Sequence, residues 1–154
     1  MKMAVIGCGL IGGSMALSWK RAGIVDEVIA FGHNPATLQK ALDKGAADTV
    51  TTSMEEAVKD ADIVVSAVPV EAMESVFTEM APFLKSDAVV TDVGSTRQTV
   101  IAAARKGLGD KFHQYAPAHP IAGGEMPGVD YASADLFDEK VVISTPDEGM
   151  DPKV

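Results

Sequence analysis

Six short apolar runs, nearly continuous and mostly rich in β-branched residues, recur along this chain with stretches of helical length between them. They cover residues 3–6, 27–31, 63–68, 88–91, 114–118 and 141–144. A strand with one face in water alternates apolar and polar residues, whereas a continuous run suits a strand covered on both faces. The intervening segments read as helices with recognisable ends. Residues 10–22 follow a glycine, carry Lys20 and Arg21 in the last turn and stop at Gly23. Asn34 caps a helix with Pro35 at its first position, and Leu38, Ala41 and Leu42 form its apolar face before Gly45. Ser53 and Glu56 make a capping box. Met73, Val76, Phe77 and Met80 share one stripe ahead of Pro82, and Val100, Ile101 and Ala104 share another, closed by Gly107. Strand–helix–strand alternation demands right-handed crossovers, so the expected fold is α/β: a doubly wound, mainly parallel sheet with helices on both faces.

Composition narrows the function classes. The 154 residues suit one domain, and 47% hydrophobic residues supply a core, which excludes a disordered tail. A formal charge of −9 argues against nucleic acid or an anionic membrane as partner, because phosphate binding draws its affinity from a basic face. Small anions remain open, since backbone N–H groups at a helix N-terminus can hold them. The single cysteine, Cys8, excludes a disulfide framework and a multi-cysteine zinc site, and no metal is called for. No apolar run reaches transmembrane length and no signal peptide precedes the first strand, so the expected location is cytoplasmic. From 118 to 135 the pattern breaks into a long Gly/Pro-rich loop, of a kind that is usually functional or disordered.

The sequence Gly7-Cys8-Gly9-Leu10-Ile11-Gly12 is GxGxxG, directly after the first strand and opening the first helix. That context makes it a Rossmann-type dinucleotide cradle: Gly7 for a tight turn, Gly9 for close approach of a pyrophosphate, Gly12 for close packing of helix on strand. The N–H groups of Leu10, Ile11 and Gly12 face the phosphates at the positive end of the helix. Gly13 and Ala16 extend the small-residue face toward the sheet. An NAD site places Asp or Glu about 20 residues further on, and here that position is Gly32. Asp26 and Glu27 fall at the wrong end of the second strand. A 2′-phosphate would therefore meet no repulsion and could be held by His33, Asn34 and Thr37 beside Gly32. The reading is NADP preferred, NAD possible.

Strand ends supply the remaining candidates, because ligands of open parallel sheets bind at the carboxyl edge. Ala67, Val68 and Pro69 close the third predicted run and would face the adenosine half of the cofactor. Asp92-Val93-Gly94-Ser95-Thr96 brings a glycine-flanked Ser95, with Thr96 beside it, to the same edge; both residues equally suit the cap of the following helix. His119 stands where a strand gives way to the long loop and can exchange a proton near neutral pH. His113 reads as a solvated surface residue.

The glycine motif, Asp92-Val93-Gly94-Ser95, His119-Pro120-Ile121-Ala122-Gly123 through Glu125, Ala134-Asp135-Leu136-Phe137 and the Ser144-Thr145-Pro146 ending together resemble the prephenate and arogenate dehydrogenases of tyrosine biosynthesis, over almost the whole chain. The resemblance implies NAD(P)-dependent oxidative decarboxylation of a cyclohexadienol. In it His119 takes the ring-hydroxyl proton, Ser95 orients that histidine and the hydroxyl, and Glu125 and Gly123 lie on the substrate side. It further implies that residues 1–146 are the NAD(P)-binding catalytic domain and that 147–154 begin a linker. A helical domain that would make a homodimer and bind the substrate carboxylates is absent from these residues. A chain of this extent is then expected to bind cofactor and turn over poorly alone. Two other readings stay open: a dehydrogenase or reductase of another small acid or imine, and a non-catalytic dinucleotide-sensing module.

Overall fold

The computed structural model describes residues 1–120, 128–138, 142–144 and 148–154, and for His119, Pro120, Val142 and Ile143 the backbone alone. In chain order the elements are β1 (Lys2–Ile6), α1 (Leu10–Arg21), β2 (Glu27–Phe31), α2 (Pro35–Asp43), β3 (Thr49–Thr51), α3 (Met54–Val58), β4 (Ile63–Ser66), α4 (Val70–Met80), β5 (Val89–Asp92), α5 (Arg97–Leu108), β6 (Tyr115–Ala116), β7 (Ala118–Pro120) and β8 (Val142–Ser144). Among the described residues β3-β2-β1-β4-β5-β6 form one all-parallel sheet, and β7 pairs β8 antiparallel. The order reverses beside β1: the chain builds outward to β3, then returns to β1's other flank with β4.

Burial explains why the strands read as continuous apolar runs. In β1, Ala4 and Ile6 join a core with Met73, Phe77, Val100 and Ala104 from α4 and α5. Met3 and Val5 join a second core with Met15 and Ala16 of α1 and Leu38 and Ala41 of α2. Both faces of the central strand β1 are therefore dry, as in a doubly wound sheet. The caps at Asn34 and Ser53 form: the Asn34 side chain accepts from Ala36 N at 2.9 Å, and Ser53 Oγ accepts from Glu56 N at 3.3 Å. The capping box is only half made, because Ser53 N donates to Thr51 Oγ1 at 3.0 Å and the Glu56 carboxylate accepts from Thr51 Oγ1 at 2.8 Å instead.

Several expectations are corrected. The strand β3 escaped the reading, because three edge residues, partly exposed, carry no apolar run. The run at 114–118 is not one strand. Gln114 ends a 3-10 turn, β6 is parallel to β5, and after Pro117 the chain starts β7 in a different pairing; proline has no N–H with which to continue a ladder. The run at 141–144 yields β8 from Val142 onward, antiparallel, with Val141 outside the described residues. Gly107 does not close α5, which continues to Leu108 before Gly109 at φ +54°. A Cβ on Gly107 would lie 2.6 Å from Phe77 Cβ and 3.0 Å from Glu74 O, so this glycine lets α5 press against α4. Gly13 does not face the sheet either: a Cβ there would meet Val129 Cγ2 at 3.0 Å and Ala132 Cβ at 3.2 Å. Residues 128–138 thus cover the outer side of α1. They are held by Ser133 N donating to Ser14 Oγ at 3.0 Å and by Arg21 pairing with Asp135 and Asp138.

Candidate functional site

Register brings distant residues into one row. Ile6 is partnered by Phe31 on one side and Ser66 on the other, and Ser66 is partnered by Asp92. The residue after each strand end continues its ladder: Gly7 N bonds Phe31 O at 3.2 Å, Gly32 N bonds Thr51 O at 3.3 Å, Ala67 N bonds Ile6 O at 2.8 Å and Val93 N bonds Ser66 O at 3.2 Å. Gly7, Gly32, Ala67 and the Ser95 turn therefore share the carboxyl edge of the sheet, although 93 lies 86 positions beyond 7 in the chain. Asp26 and Glu27 lie at the opposite edge, as expected, where Asp26 meets the Met1 ammonium and Glu27 pairs Lys2 at 3.8 Å.

The glycine turn sits at the β1/β4 reversal, where open α/β sheets leave a crevice. Gly7 has φ +89°, a region closed to most side chains, and its Cβ would fall 2.9 Å from Ala67 O. A Cβ on Gly12 would lie 2.7 Å from Gly7 O and 2.9 Å from Val5 Cγ1, so α1 can rest on β1 only without one. Gly9 is the opposite case: a Cβ there meets nothing within 4 Å among the described residues. Among the described residues the space over Gly9 is open and no side chain caps α1, so the N–H groups of its first turn, which have no intrahelical partners in any helix, take no side-chain acceptor from them either. Among the described residues α4 and α5, following β4 and β5, likewise have no side-chain cap, whereas α2 and α3 are capped by Asn34 and Ser53. The donors of a phosphate cradle are therefore present and open at the centre of the edge, which fits a dinucleotide. Burial pushes the Cys8 thiol up to about 11, so at neutral pH it adds no negative charge beneath that cradle.

A cleft of about 1020 Å³ runs between α4 and α5, from Pro69, Ser95 and Thr96 at their N-terminal ends to Glu74, Ala102 and Lys106 further along the two helices. Ser95 is exposed there, and Thr96 occupies the cap position of α5 without a side-chain bond to it. Pro69 holds the corresponding position of α4. At the β2 end, His33 is exposed and stacks edge-on against Phe31 at 5.2 Å, while Asn34 Oδ1 and the N–H of Thr37 are engaged in the α2 cap. His119 stands in β7 opposite Ile143; its side chain, and Gly123 and Glu125 altogether, lie outside the described residues. His113 is exposed, its Nδ1 2.9 Å from Asp110 O.

Sequence reasoning passed over what lies beneath the Ser95 turn. Asp92 and Tyr115 are fully buried, and Tyr115 Oη donates to Asp92 Oδ1 at 2.6 Å. Arg97 pairs with the same carboxylate. An aspartate closing an apolar run two residues before glycine and five before arginine was a faint local signal; Tyr115 gave none.

An all-parallel sheet with its glycine turn and uncapped helix ends at the reversal point defines a doubly wound nucleotide-binding domain. The chain belongs to the family of the prephenate dehydrogenase nucleotide-binding domain, which matches residues 15–154. The cyclohexadienyl dehydrogenase of Zymomonas mobilis is 38% identical over 145 residues, 94% of this chain and 49% of that protein. Prephenate dehydrogenase of Aquifex aeolicus, solved in complex with hydroxyphenyl propionate and NAD+, superposes with a TM-score of 0.90 at 33% identity, covering 99% of this chain and 53% of that one. Arogenate dehydrogenase of Synechocystis gives 0.88 at 28% identity, covering 99% and 52%. The chain therefore spans about half the length of these relatives. No helix among the described residues is long and apolar enough to cross a membrane.

Proposed function

We propose that this chain is the cofactor-binding, catalytic half of a dehydrogenase that oxidatively decarboxylates prephenate, arogenate or both, in cytoplasmic tyrosine biosynthesis, with NADP preferred. The observation that carries the reading is the cradle over Gly9, open and uncapped among the described residues, with Ser95 exposed in a turn at the same sheet edge, in a chain of this family. Gly7, Gly9, Leu10, Ile11 and Gly12 would hold the pyrophosphate, with Ala67, Val68, Pro69 and Thr96 along the rest of the cofactor. When bound, the nicotinamide supplies the hydride acceptor. His119 takes the proton of the substrate's ring hydroxyl, which raises electron density at the carbon that gives up hydride, and Ser95 orients both groups. Loss of carbon dioxide then aromatises the ring. Glu125 and Gly123 border the substrate side chain. Residues 1–146 form the catalytic domain in this reading, and 147–154 lead toward a helical domain through which a homodimer forms.

NADP preference rests on Gly32, where no carboxylate would repel a 2′-phosphate. The NAD+ in the Aquifex aeolicus enzyme favours NAD as the second reading. The test is a spectrophotometric assay for reduced nicotinamide with both substrates crossed with both cofactors, on a polypeptide carrying this chain. His119→Ala should lose roughly 10²- to 10⁴-fold in kcat, the usual worth of a positioned acid–base group. Unchanged turnover in that variant refutes the assignment of His119, no reduction with either substrate refutes the reaction, and NAD binding as tightly as NADP refutes the preference.

A further inference from the structure

The Ser95 turn is braced from below by three side chains on three elements. Asp92 ends β5, Arg97 begins α5 and Tyr115 begins β6. Asp92 Oδ2 accepts the Gly94 N–H at 2.8 Å and an Arg97 Nη2 hydrogen, while Oδ1 faces Arg97 Nη1 at 3.4 Å and accepts from Tyr115 Oη at 2.6 Å. Arg97 Nη2 also donates to the carbonyl of Gly94. Both polar groups of Gly94 are thus tied to one ion pair, including the carbonyl of the peptide that leads into Ser95. There is no slack in the turn: a Cβ on Gly94 would fall 2.8 Å from Val100 Cγ2 and 3.1 Å from Asp92 Oδ2.

This arrangement is costly by itself. A fully buried carboxylate needs several donors to stand, and a cation in the first turn of a helix opposes the helix dipole. Burial first, and then the Asp92 charge, hold the Tyr115 phenol far above its ordinary range, so it stays a donor. Hydrophobic side chains would fill the same space between β5, β6 and α5, and none of the three polar residues reaches the cleft wall that Ser95, Thr96 and Gln98 form. What the network does hold is the backbone on which the exposed Ser95 rides.

We propose that Asp92 is a positioning residue which, with Arg97 and Tyr115, fixes the Gly94–Ser95 peptide and so the place of the Ser95 hydroxyl in the cleft. The proposal rests on the reading of Ser95 above, and a double-mutant cycle separates the two. In an active polypeptide carrying this chain, Tyr115→Phe keeps the ring and removes one hold on the carboxylate. It should lower kcat roughly tenfold to a hundredfold, the scale of a misplacement near 1 Å, while KM and Kd for the cofactor stay unchanged. In a Ser95→Ala background the same substitution should cost less than about twofold, because the group it places is gone. Arg97→Lys should recover part of the kcat lost in Arg97→Ala. Equal losses in both backgrounds, or Tyr115→Phe with wild-type kcat, overturn the positioning role and leave Ser95 standing. A Ser95→Ala variant with wild-type kcat sinks the reading of Ser95 and this proposal together. Asp92→Asn should follow Tyr115→Phe; should it fail to fold, Tyr115→Phe decides.

Discussion

The glycines of the first turn look alike in sequence but have opposite roles in the structure, and substituting alanine at each tests that difference. At Gly12 the added methyl would meet Gly7 O at 2.7 Å, Val5 Cγ1 at 2.9 Å and Ala67 Cβ at 3.1 Å, contacts with backbone and core that cannot swing aside. Overpacking of this kind costs about 1–3 kcal/mol. At roughly 2–4 °C per kcal/mol for a domain of this size, Gly12→Ala should lower Tm by about 2–12 °C. At Gly9 the methyl meets nothing within 4 Å among the described residues, and φ is negative, as for an ordinary L residue. Stability should then stay within about 0.5 kcal/mol of the wild type. The methyl instead occupies the space through which a pyrophosphate would approach the uncapped N–H groups of α1. Losing one hydrogen bond to a charged group costs about 1.5–3 kcal/mol, which corresponds to a Kd raised roughly tenfold to a hundredfold. Thermal melts with and without cofactor, together with a fluorescence titration of NADPH, read both quantities on the same samples. Wild-type affinity in Gly9→Ala would refute the cradle, and an unchanged Tm in Gly12→Ala would refute the packing argument.

Two further substitutions probe the edge and the base of the sheet. Gly32→Asp adds a Cβ 3.3 Å from Leu38 Cδ2, the yielding end of a side chain, so the domain should still fold. At about 1–4 kcal/mol between charges 4 Å apart, its carboxylate should move the NADP-to-NAD affinity ratio toward NAD by roughly fivefold to several hundredfold; an unmoved ratio in a paired titration would remove Gly32 from the cofactor site. Asp62 accepts the Lys2 N–H at 2.7 Å and pairs with Lys85, and these contacts, the backbone bond first, hold its carboxyl below the ordinary range. A depressed carboxyl stabilises the fold above its unfolded pKa and loses that contribution as pH falls through the folded one. Asp62→Asn should therefore lower Tm modestly at pH 7, with the gap to wild type closing as pH drops below about 4. A gap that stays constant with pH contradicts the linkage.

What the sequence determined by itself is what neighbouring residues decide among themselves. Periodicity sets β1, β2, β4 and β5 and the helices between them, because burial on both faces writes continuous apolar runs. Asn34 and Ser53 announce α2 and α3, because a cap bonds within three residues. The GxGxxG turn and the open position at Gly32 are equally local. The tertiary structure decided whatever depends on partners far along the chain. It alone shows β3, whose short polar edge leaves no pattern, the change of sheet at Pro117, and Gly13 turned to Val129 and Ala132 rather than the sheet. It alone aligns Gly7, Gly32, Ala67 and Val93 in one row, since register between parallel strands is a property of the assembled ladder. And it places Tyr115 against Asp92 across 23 positions. A buried carboxylate is stable only when the fold delivers its donors from several directions, and those directions exist only once the strands have paired.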